Sequence, residues 1–267
     1  MAASRKRRLA DFPFWLLAIA LLGVLGLWAI TTNSTYEQIF GALLGGVWTT
    51  VWVTLVAFTL AIVLGLLVAL MRTSGRPALV QIATFYTELI RGVPILVFLF
   101  YVAFVGAPAT IIAANWLTQP LQQLGWMPEL TVRNFDLTWR AIIALMICYS
   151  AFLAEVFRAG IEAVPEGQLE AARAMGLSRG QIFRRIVAPQ AFRIILPPLG
   201  NDFVSMIKDS ALVSSLGVAD ITQLGKVYSA ATFKFFETYN VVAFLYLTMT
   251  ISLSLLVRFI ERRLGRY

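Results

Sequence analysis

The sequence predicts an all-α integral membrane protein with about six transmembrane helices. Hydrophobic residues make up 59% of the chain, charged residues only 13%, and the mean hydropathy is +0.79. This balance is typical of membrane proteins rather than of soluble domains. Apolar runs recur along the chain, and each is long enough to cross about 30 Å of hydrocarbon as a helix.

The first apolar run, residues 12–30, follows the basic stretch RKRR at residues 5–8. The run is long for the core of a signal peptide, and the sequence TTNSTYEQ after it offers no small-residue cleavage site. We therefore expect an uncleaved first helix whose N-terminus is cytoplasmic.

The later runs predict the other spans, at 47–71, 82–106, 140–164, 191–212 and 239–260. Residues 107–138 contain prolines, glutamines and tryptophans, and tryptophan favours the headgroup level of a bilayer. We expect an external loop with an interfacial segment there. Residues 213–238 are mixed in character and are expected to be partly re-entrant.

The positive charges predict the orientation. The net charge is +8, but in a membrane protein the distribution of Lys and Arg matters more than their sum. The predicted external segments hold Arg133, Lys226 and Lys234. The predicted cytoplasmic segments hold Arg5, Lys6, Arg7, Arg8, Arg72, Arg76, Arg158, Arg173, Arg179, Arg184, Arg185, Arg258, Arg262, Arg263 and Arg266. Both termini are therefore predicted to be cytoplasmic, and the charge does not indicate a nucleic-acid partner.

The chain lacks the residues that most enzymes need. It has no histidine, the commonest metal ligand, and its single cysteine, Cys148, cannot form an intrachain disulfide. It contains no metal-spaced cysteines and no G-x-x-x-x-G-K-[ST] phosphate loop. We expect no catalytic residue, no metal and no cofactor, and no ATP hydrolysis by this chain alone.

Residues 166–189, EGQLEAARAMGLSRGQIFRRIVAP, combine strong helix signals with dense charge. Gly176 is placed to end a first helix in the left-handed conformation. Ser178 and Gln181 form a capping box that begins a second helix, and Pro189 is expected to close it. The segment is thus predicted to be two short helices about a glycine corner.

The faces of this helix pair are also predicted. Pro165 suits the first turn of the first helix, because its missing N–H would be unpaired there. The second helix has an apolar stripe of Ile182, Phe183, Ile186 and Val187 opposite Arg179, Arg184 and Arg185. One interpretation is a solvated loop whose arginines only set orientation.

The residues of this segment support a more specific interpretation. They resemble the EAA loop of ABC-importer permeases, a helix pair that docks into a groove on the cytosolic ATPase. The matching residues, to which the resemblance assigns coupling to the ATPase, are Glu170, Ala171, Ala172, Gly176, Ile186 and Pro189. Ala188 stands where the family usually has leucine. We call residues 166–189 the EAA-like segment.

Further stretches resemble one branch of these permeases, the polar amino acid uptake family. They are YTELIRGVPILV (86–97) and the stretches 150–178, 188–203, 208–218 and 239–264. The resemblance implies a five-helix permease core like 46–262, with the first helix as an addition. The expected domains are 1–40, the basic N-terminus and first helix, and 41–264, the permease domain with a coupling loop at 165–189.

The same resemblance implies the partners and the mechanism. A cytosolic ABC ATPase dimer would use ATP and magnesium, a second permease subunit, identical or related, would pair with this one, and an extracytoplasmic binding protein would deliver a polar amino acid. Transport would proceed by alternating access across the bacterial inner membrane. Where the family usually reads Arg-Gly-Thr-Pro, residues 91–94 read Arg-Gly-Val-Pro, without the hydroxyl.

Charged groups inside the spans are candidates for the substrate path, since burying them in a bilayer is costly. Glu88 and Arg91 lie three residues apart and are spaced to pair on one helix face, with either a structural or a functional role. Pro94 after them is placed to bend the helix. Glu155, near the cytoplasmic end of the fourth span, is a further candidate.

Asp202 lies near the middle of the fifth span, and Asn201 adds a side-chain amide beside it. Pro197 and Pro198 precede them, so we expect the helix to be broken there, as it is at many transporter substrate sites. The alternative for Asp202 is a hydrogen bond that only holds helices together.

A secondary transporter or channel driven by an ion gradient is the competing function. Membrane-embedded acidic residues such as Asp202 allow it. It does not account for the EAA-like segment.

Overall fold

A computed structural model describes residues 14–264, and the predicted basic stretch 5–8 and Arg266 lie outside these residues. The described part is helical and contains no strand. Its helices are α1 (Phe14–Thr32), α2 (Ser34–Arg72), α3 (Pro77–Gly92), α4 (Ile95–Tyr101), α5 (Ala107–Gln123), α6 (Leu137–Glu162), α7 (Glu166–Ala174), α8 (Arg179–Ile182), α9 (Ala188–Asp209), α10 (Ile221–Thr232) and α11 (Phe235–Leu264).

Short irregular helices join several of these elements. A π turn, Val102–Gly106, joins α4 to α5, and a second, Phe183–Val187, joins α8 to α9. The 3₁₀ segments Val132–Asn134 and Ser210–Leu216 precede α6 and follow α9.

Within the described residues, four helical stretches are long and apolar enough to cross a bilayer, namely Ser34–Arg72, Ile95–Gln123, Leu137–Glu162 and Phe235–Arg263. The other two predicted spans correspond to α1, which is apolar but shorter, and α9, which has 22 residues and includes charged side chains. The all-α membrane fold is therefore as predicted, while the count of six spans stays a prediction.

The predicted span 82–106 is two helices, because α3 ends at Gly92 and α4 begins at Ile95. Val93 is extended, with φ −107° and ψ 134°, which is the conformation that a following proline favours. Helix then continues through the π turn to Gln123, so part of the expected external loop is helical.

Helix α2 begins earlier than predicted, at Ser34 rather than 47. Asn33 caps it by accepting a hydrogen bond from the Thr35 N–H at 2.9 Å. Its 39 residues span about 58 Å at 1.5 Å per residue, so α2 is much longer than the about 30 Å of hydrocarbon.

The core is built around α2 and α6, which pack closely through small residues. Ala57, Ala61 and Ala69 of α2 are fully buried. A Cβ added at Gly65 would lie 2.9 Å from the Ser150 carbonyl oxygen of α6. Small residues of this kind let membrane helices approach at backbone distance.

Helix α9 packs against the same core and contacts both α6 and α2, with the Phe203 ring of α9 centred 5.0 Å from that of Phe58 of α2. Gly160 of α6 leaves the space that the Ile195 side chain of α9 occupies, and a Cβ there would overlap it. Gly200 of α9 likewise accommodates Val257 of α11. Contacts with α6 and α11 therefore hold α9 in place both before and after Pro197 and Pro198.

Candidate functional site

The first helix of the EAA-like segment, α7, ends in a glycine corner, as predicted. Gly176 has φ +76°, a left-handed conformation that costs other residues about 1–2 kcal/mol. Its N–H donates to the Arg173 carbonyl at 2.9 Å, and the Leu177 N–H donates to the Ala172 carbonyl at 3.1 Å. This pair of hydrogen bonds is the Schellman motif, which satisfies the last carbonyls of a helix.

The second helix, α8, begins with the predicted capping box. The Ser178 hydroxyl accepts from the Gln181 N–H at 3.4 Å, and the Gln181 side chain accepts from the Ser178 N–H at 2.9 Å. Because Gly176 and Ser178 are two residues apart, the corner is held by hydrogen bonds on both of its sides. At the other end, α7 begins at Glu166, one residue after Pro165.

The prediction that Pro189 closes the second helix is wrong. After α8 the π turn Phe183–Val187 carries the backbone into α9, and the Ala188 N–H donates to the Phe183 carbonyl five residues earlier. Pro189 then lies in the first turn of α9, where its fixed φ suits a helix. The loop helix and the predicted fifth span are therefore one continuous helical rod.

The inner face of the segment is packed against the core. Ala172 is fully buried, Ile182 and Val187 are nearly so, and Ile186 is half-buried. Phe183, predicted to share this apolar stripe, is instead 41% exposed, because the π turn rotates the residues within it relative to a regular helix.

The outer face offers both charge and apolar surface. Glu170, Ala171 and Arg173 are exposed, and Met175 at the corner is 72% exposed. Arg179, Arg184 and Arg185 are exposed as well, as predicted. An exposed methionine beside charged groups is typical of a protein-binding surface.

One side-chain contact ties the two ends of the segment together. The Gln190 amide nitrogen of α9 donates to Gln168 Oε1 of α7 at 2.7 Å and to the Ile186 carbonyl at 3.0 Å. The helix pair is thus braced to the start of α9 as well as joined to it.

A charged cluster lies close to the EAA-like segment, near the end of α6. Glu155 accepts from Arg72 of α2, pairs with Arg158 at 2.9 Å and lies 3.6 Å from Arg91 of α3. Arg158 also pairs with Glu162. Three arginines against two glutamates leave one positive charge in excess, and the pairs connect α2, α3 and α6.

The predicted ion pair between Glu88 and Arg91 is not formed. Arg91 instead faces α6, with its guanidinium 5.7 Å from the centre of the Phe152 ring and its nearest carboxylate on Glu155. Glu88 is exposed and forms no ion pair within the described residues. Packing orients α3 in this way, because the Tyr86 hydroxyl lies 2.6 Å from that of Ser150 on α6.

The predicted break beside Asp202 is absent, since α9 is helical from Ala188 to Asp209 with Pro197 and Pro198 inside it. Membrane helices tolerate proline when neighbouring helices support the freed backbone. Asp202 is half-buried and Asn201 is exposed, and within residues 14–264 neither forms a side-chain hydrogen bond or ion pair.

Sequence reasoning missed one polar contact on the same helix. The Tyr149 hydroxyl of α6 donates to Asp209 Oδ2 at the end of α9, at 2.6 Å. A tyrosine inside an apolar run was the available signal, because a buried hydroxyl needs a partner. Of the candidate residues, the structure brings together Arg91 and Glu155 and leaves Glu88, Asn201 and Asp202 apart from them.

Comparison with known proteins adds independent evidence. Residues 61–266 match the family described as binding-protein-dependent transport system inner membrane component. The probable amino-acid permease protein YxeN of Bacillus subtilis is 36% identical over 200 residues, which cover 75% of this chain and 81% of the relative. The glutamine transport system permease protein GlnP of Escherichia coli is 33% identical over 198 residues, covering 74% and 81%.

Solved structures agree with these relatives. A crystal structure of an amino acid ABC transporter with histidines has a chain 35% identical to this one, with a TM-score of 0.70, covering 88% of this chain and 98% of that one. The MetNI methionine ABC transporter, at 21% identity, shares the fold with a TM-score of 0.66 over 86% of this chain and 99% of its own.

Proposed function

The chain belongs to the family of binding-protein-dependent transport system inner membrane components, and from this premise we propose that it imports polar amino acids. It is a permease subunit of an ABC importer, a transporter component rather than an enzyme. Relatives named for amino acids, among them glutamine, support the substrate class. The competing ion-gradient transporter accounts for neither this family match nor the EAA-like segment.

The observation that carries the mechanism is the continuity of α8 with α9. An ATPase that docks on the exposed face of α7 and α8 would move a rigid corner, held by the Gly176 and Ser178 hydrogen bonds. Since no loop intervenes between α8 and α9, this movement passes directly into a helix that lies against the core. Glu170, Ala171, Ala172, Gly176, Ile186 and Pro189 are the proposed coupling residues.

The proposed partners are a cytosolic ABC ATPase dimer, a second permease subunit, identical or related, and an extracytoplasmic binding protein. ATP and magnesium would be used by the ATPase, and we propose no cofactor for this chain. The excess of Lys and Arg in the segments on the side of the EAA-like segment supports cytoplasmic termini in a bacterial inner membrane.

The proposed substrate path involves the charged groups of the helix bundle. Asp202 is a half-buried carboxylate without a side-chain partner in the described residues, so it is available to the ammonium group of an amino acid. The excess positive charge around Arg91 and Glu155 would favour the substrate carboxylate on its way to the cytosol. Asn201 and Glu88 are further candidates on the same path.

The test is ATP-dependent uptake of labelled amino acids into vesicles containing the chain with candidate ATPase and binding-protein partners. Gly176→Pro should abolish uptake, because proline cannot adopt φ +76° and lacks the N–H that bonds to Arg173. Gly176→Ala should reduce uptake less. The matched control is Gly180→Ala in α8, where an added Cβ meets no atom within 4 Å.

The complex should still insert and assemble in each variant, as checked by co-purification of the ATPase. Uptake that is driven by an ion gradient without the ATPase would contradict the proposal. So would full uptake by Gly176→Pro.

A further inference from the structure

An apolar cleft of about 460 Å³ lies between α1 and α11. Its size is within the about 300–1,000 Å³ that small-molecule sites occupy. The residues that characterise it are Leu22, Ala29 and Ile30 of α1, Tyr36 of α2, and Ala243 and Leu247 of α11. The coupling function described above uses none of them.

One end of the cleft, which we call its mouth, lies at the end of the helix bundle opposite the EAA-like segment. At its mouth the Asn240 amide donates to the Tyr36 hydroxyl at 3.3 Å, close to the start of α2 and of α11. The far end of α2 carries Arg72, which pairs with Glu155 near the end of α6 that leads into the EAA-like segment. The two ends of α2 therefore mark opposite sides of the membrane.

The depth of the cleft matches one leaflet. From Ile30 at the mouth to Leu22 at the base is eight residues, or about 12 Å along α1 at 1.5 Å per residue. One leaflet contributes about half of the roughly 30 Å hydrocarbon thickness. The cleft thus runs from the interface towards the bilayer centre.

The polarity of the cleft changes along this depth. The hydroxyl of Tyr36 and the amide of Asn240 lie at the mouth, and beyond them the lining is aliphatic apart from the Phe244 ring. A phospholipid has the same order of groups, with hydrogen-bonding esters and headgroup above an apolar chain.

The walls of the cleft approach each other closely at one point, because a Cβ added at Gly26 of α1 would lie 2.5 Å from the Phe244 ring of α11. A single acyl chain is narrower than a helix, whose diameter with side chains is about 10–12 Å, and is the occupant that this close approach favours.

We propose that the cleft between α1 and α11 binds one acyl chain of a phospholipid from the leaflet opposite the EAA-like segment, with Tyr36 and Asn240 facing its ester and headgroup region. The bound lipid fills the gap between α1 and the helix bundle, where every described side chain of α1 remains at least partly exposed.

The test uses the assembled transporter in vesicles of phosphatidylethanolamine and phosphatidylglycerol that contain a trace of phospholipid with a diazirine on its acyl chain. After irradiation, mass spectrometry locates the labelled residues. Labelling of Ala29, Ala243 and Leu247 should exceed that of Val24 and Leu27 severalfold. Val24 and Leu27 lie on α1 at similar depth, are exposed, and do not line the cleft.

Variants that fill the cleft provide the second arm. Ala29→Phe combined with Ala243→Phe should lower labelling of the cleft to the level of Val24 and Leu27. The matched control is Gly23→Phe, because Gly23 does not line the cleft and an added Cβ there meets no atom within 4 Å.

Equal labelling of the two faces of α1 in the unmodified transporter would overturn the proposal, and this comparison needs no variant. Labelling of the cleft that persists in an assembled double variant would overturn it as well.

Discussion

Two proline-containing regions of this protein behave in opposite ways. Before Pro94 the chain leaves the helical conformation, and α3 and α4 are separate helices. Pro197 and Pro198 lie inside α9, which stays helical for its whole length. Proline lacks a backbone N–H and has a fixed φ in every case, so the residue type alone does not explain the difference.

The surroundings of the two regions differ. On either side of the α9 prolines, Ile195 fits against Gly160 and Gly200 fits against Val257, so neighbouring helices support the backbone. Beside Pro94, an added Cβ at Gly92 would meet no atom within 4 Å. At these two sites the helix is broken where packing is open and continues where packing is tight. Packing is not the sole determinant, because Pro120 lies inside α5, whose side chains around it are mostly exposed.

The largest expected effect comes from filling the space that holds α9. Gly160→Leu should displace Ile195 and lower the free energy of unfolding by about 3 kcal/mol, at the upper end of overpacking costs. Thermal unfolding of the purified complex measures the loss. Gly92→Leu is the matched control and should unfold like the unmodified protein. If both variants were equally stable, packing would not be what holds α9.

A smaller effect is expected where charge, rather than packing, positions the end of α3. Glu155→Gln leaves Arg72, Arg91 and Arg158 without their shared carboxylate. These side chains are 15–40% exposed, so we expect a loss of about 1–3 kcal/mol, below the about 3–5 kcal/mol for a fully buried pair.

Chemical or thermal unfolding, together with ATP-dependent uptake, measures the effect of Glu155→Gln. Glu88→Gln serves as the control, because Glu88 is exposed and forms no ion pair in the described residues. Equal losses in the two variants would mean that the charged cluster does not hold α3 against α6.

The smallest energetic effect should come from replacing the prolines themselves, and hydrogen exchange can resolve it. In Pro197→Ala the new N–H lies inside α9 and can bond to the Arg193 carbonyl, so it should exchange slowly. In Pro94→Ala the new N–H lies just before α4. The first N–H groups of a helix have no intrahelical acceptor, so this N–H should exchange fast. Fast exchange at both positions would show that α9 is broken after all.

Local features of the EAA-like segment were predictable from the sequence. Gly176 at the corner and the Ser178–Gln181 capping box depend on hydrogen bonds between residues at most five positions apart. The end of the second helix was not predictable, because a π turn before Pro189 leaves no mark in helix propensities.

The pairing within the charged cluster, by contrast, was not predictable from the sequence. An acidic residue such as Glu155 in an apolar helix signals that a partner exists, since an unpaired charge there is costly. Its partner Arg72 is 83 residues away in the chain, and the nearer pairing of Glu88 with Arg91 was the wrong one. Only the orientation of α3 against α6 selects between them.

The sequence by itself determined the membrane class, the helical fold, the glycine corner and the family. These follow from composition, from apolar runs and from interactions between close neighbours. The tertiary structure alone decided which charges meet at Glu155, that α8 and α9 form one rod, and where proline breaks a helix. The pairing at Glu155 and the path of the chain at each proline depend on how residues far apart in the chain pack, and small residues such as Gly160 and Gly200 set that packing around α9. The α8–α9 rod depends on a π turn that helix propensities do not reveal.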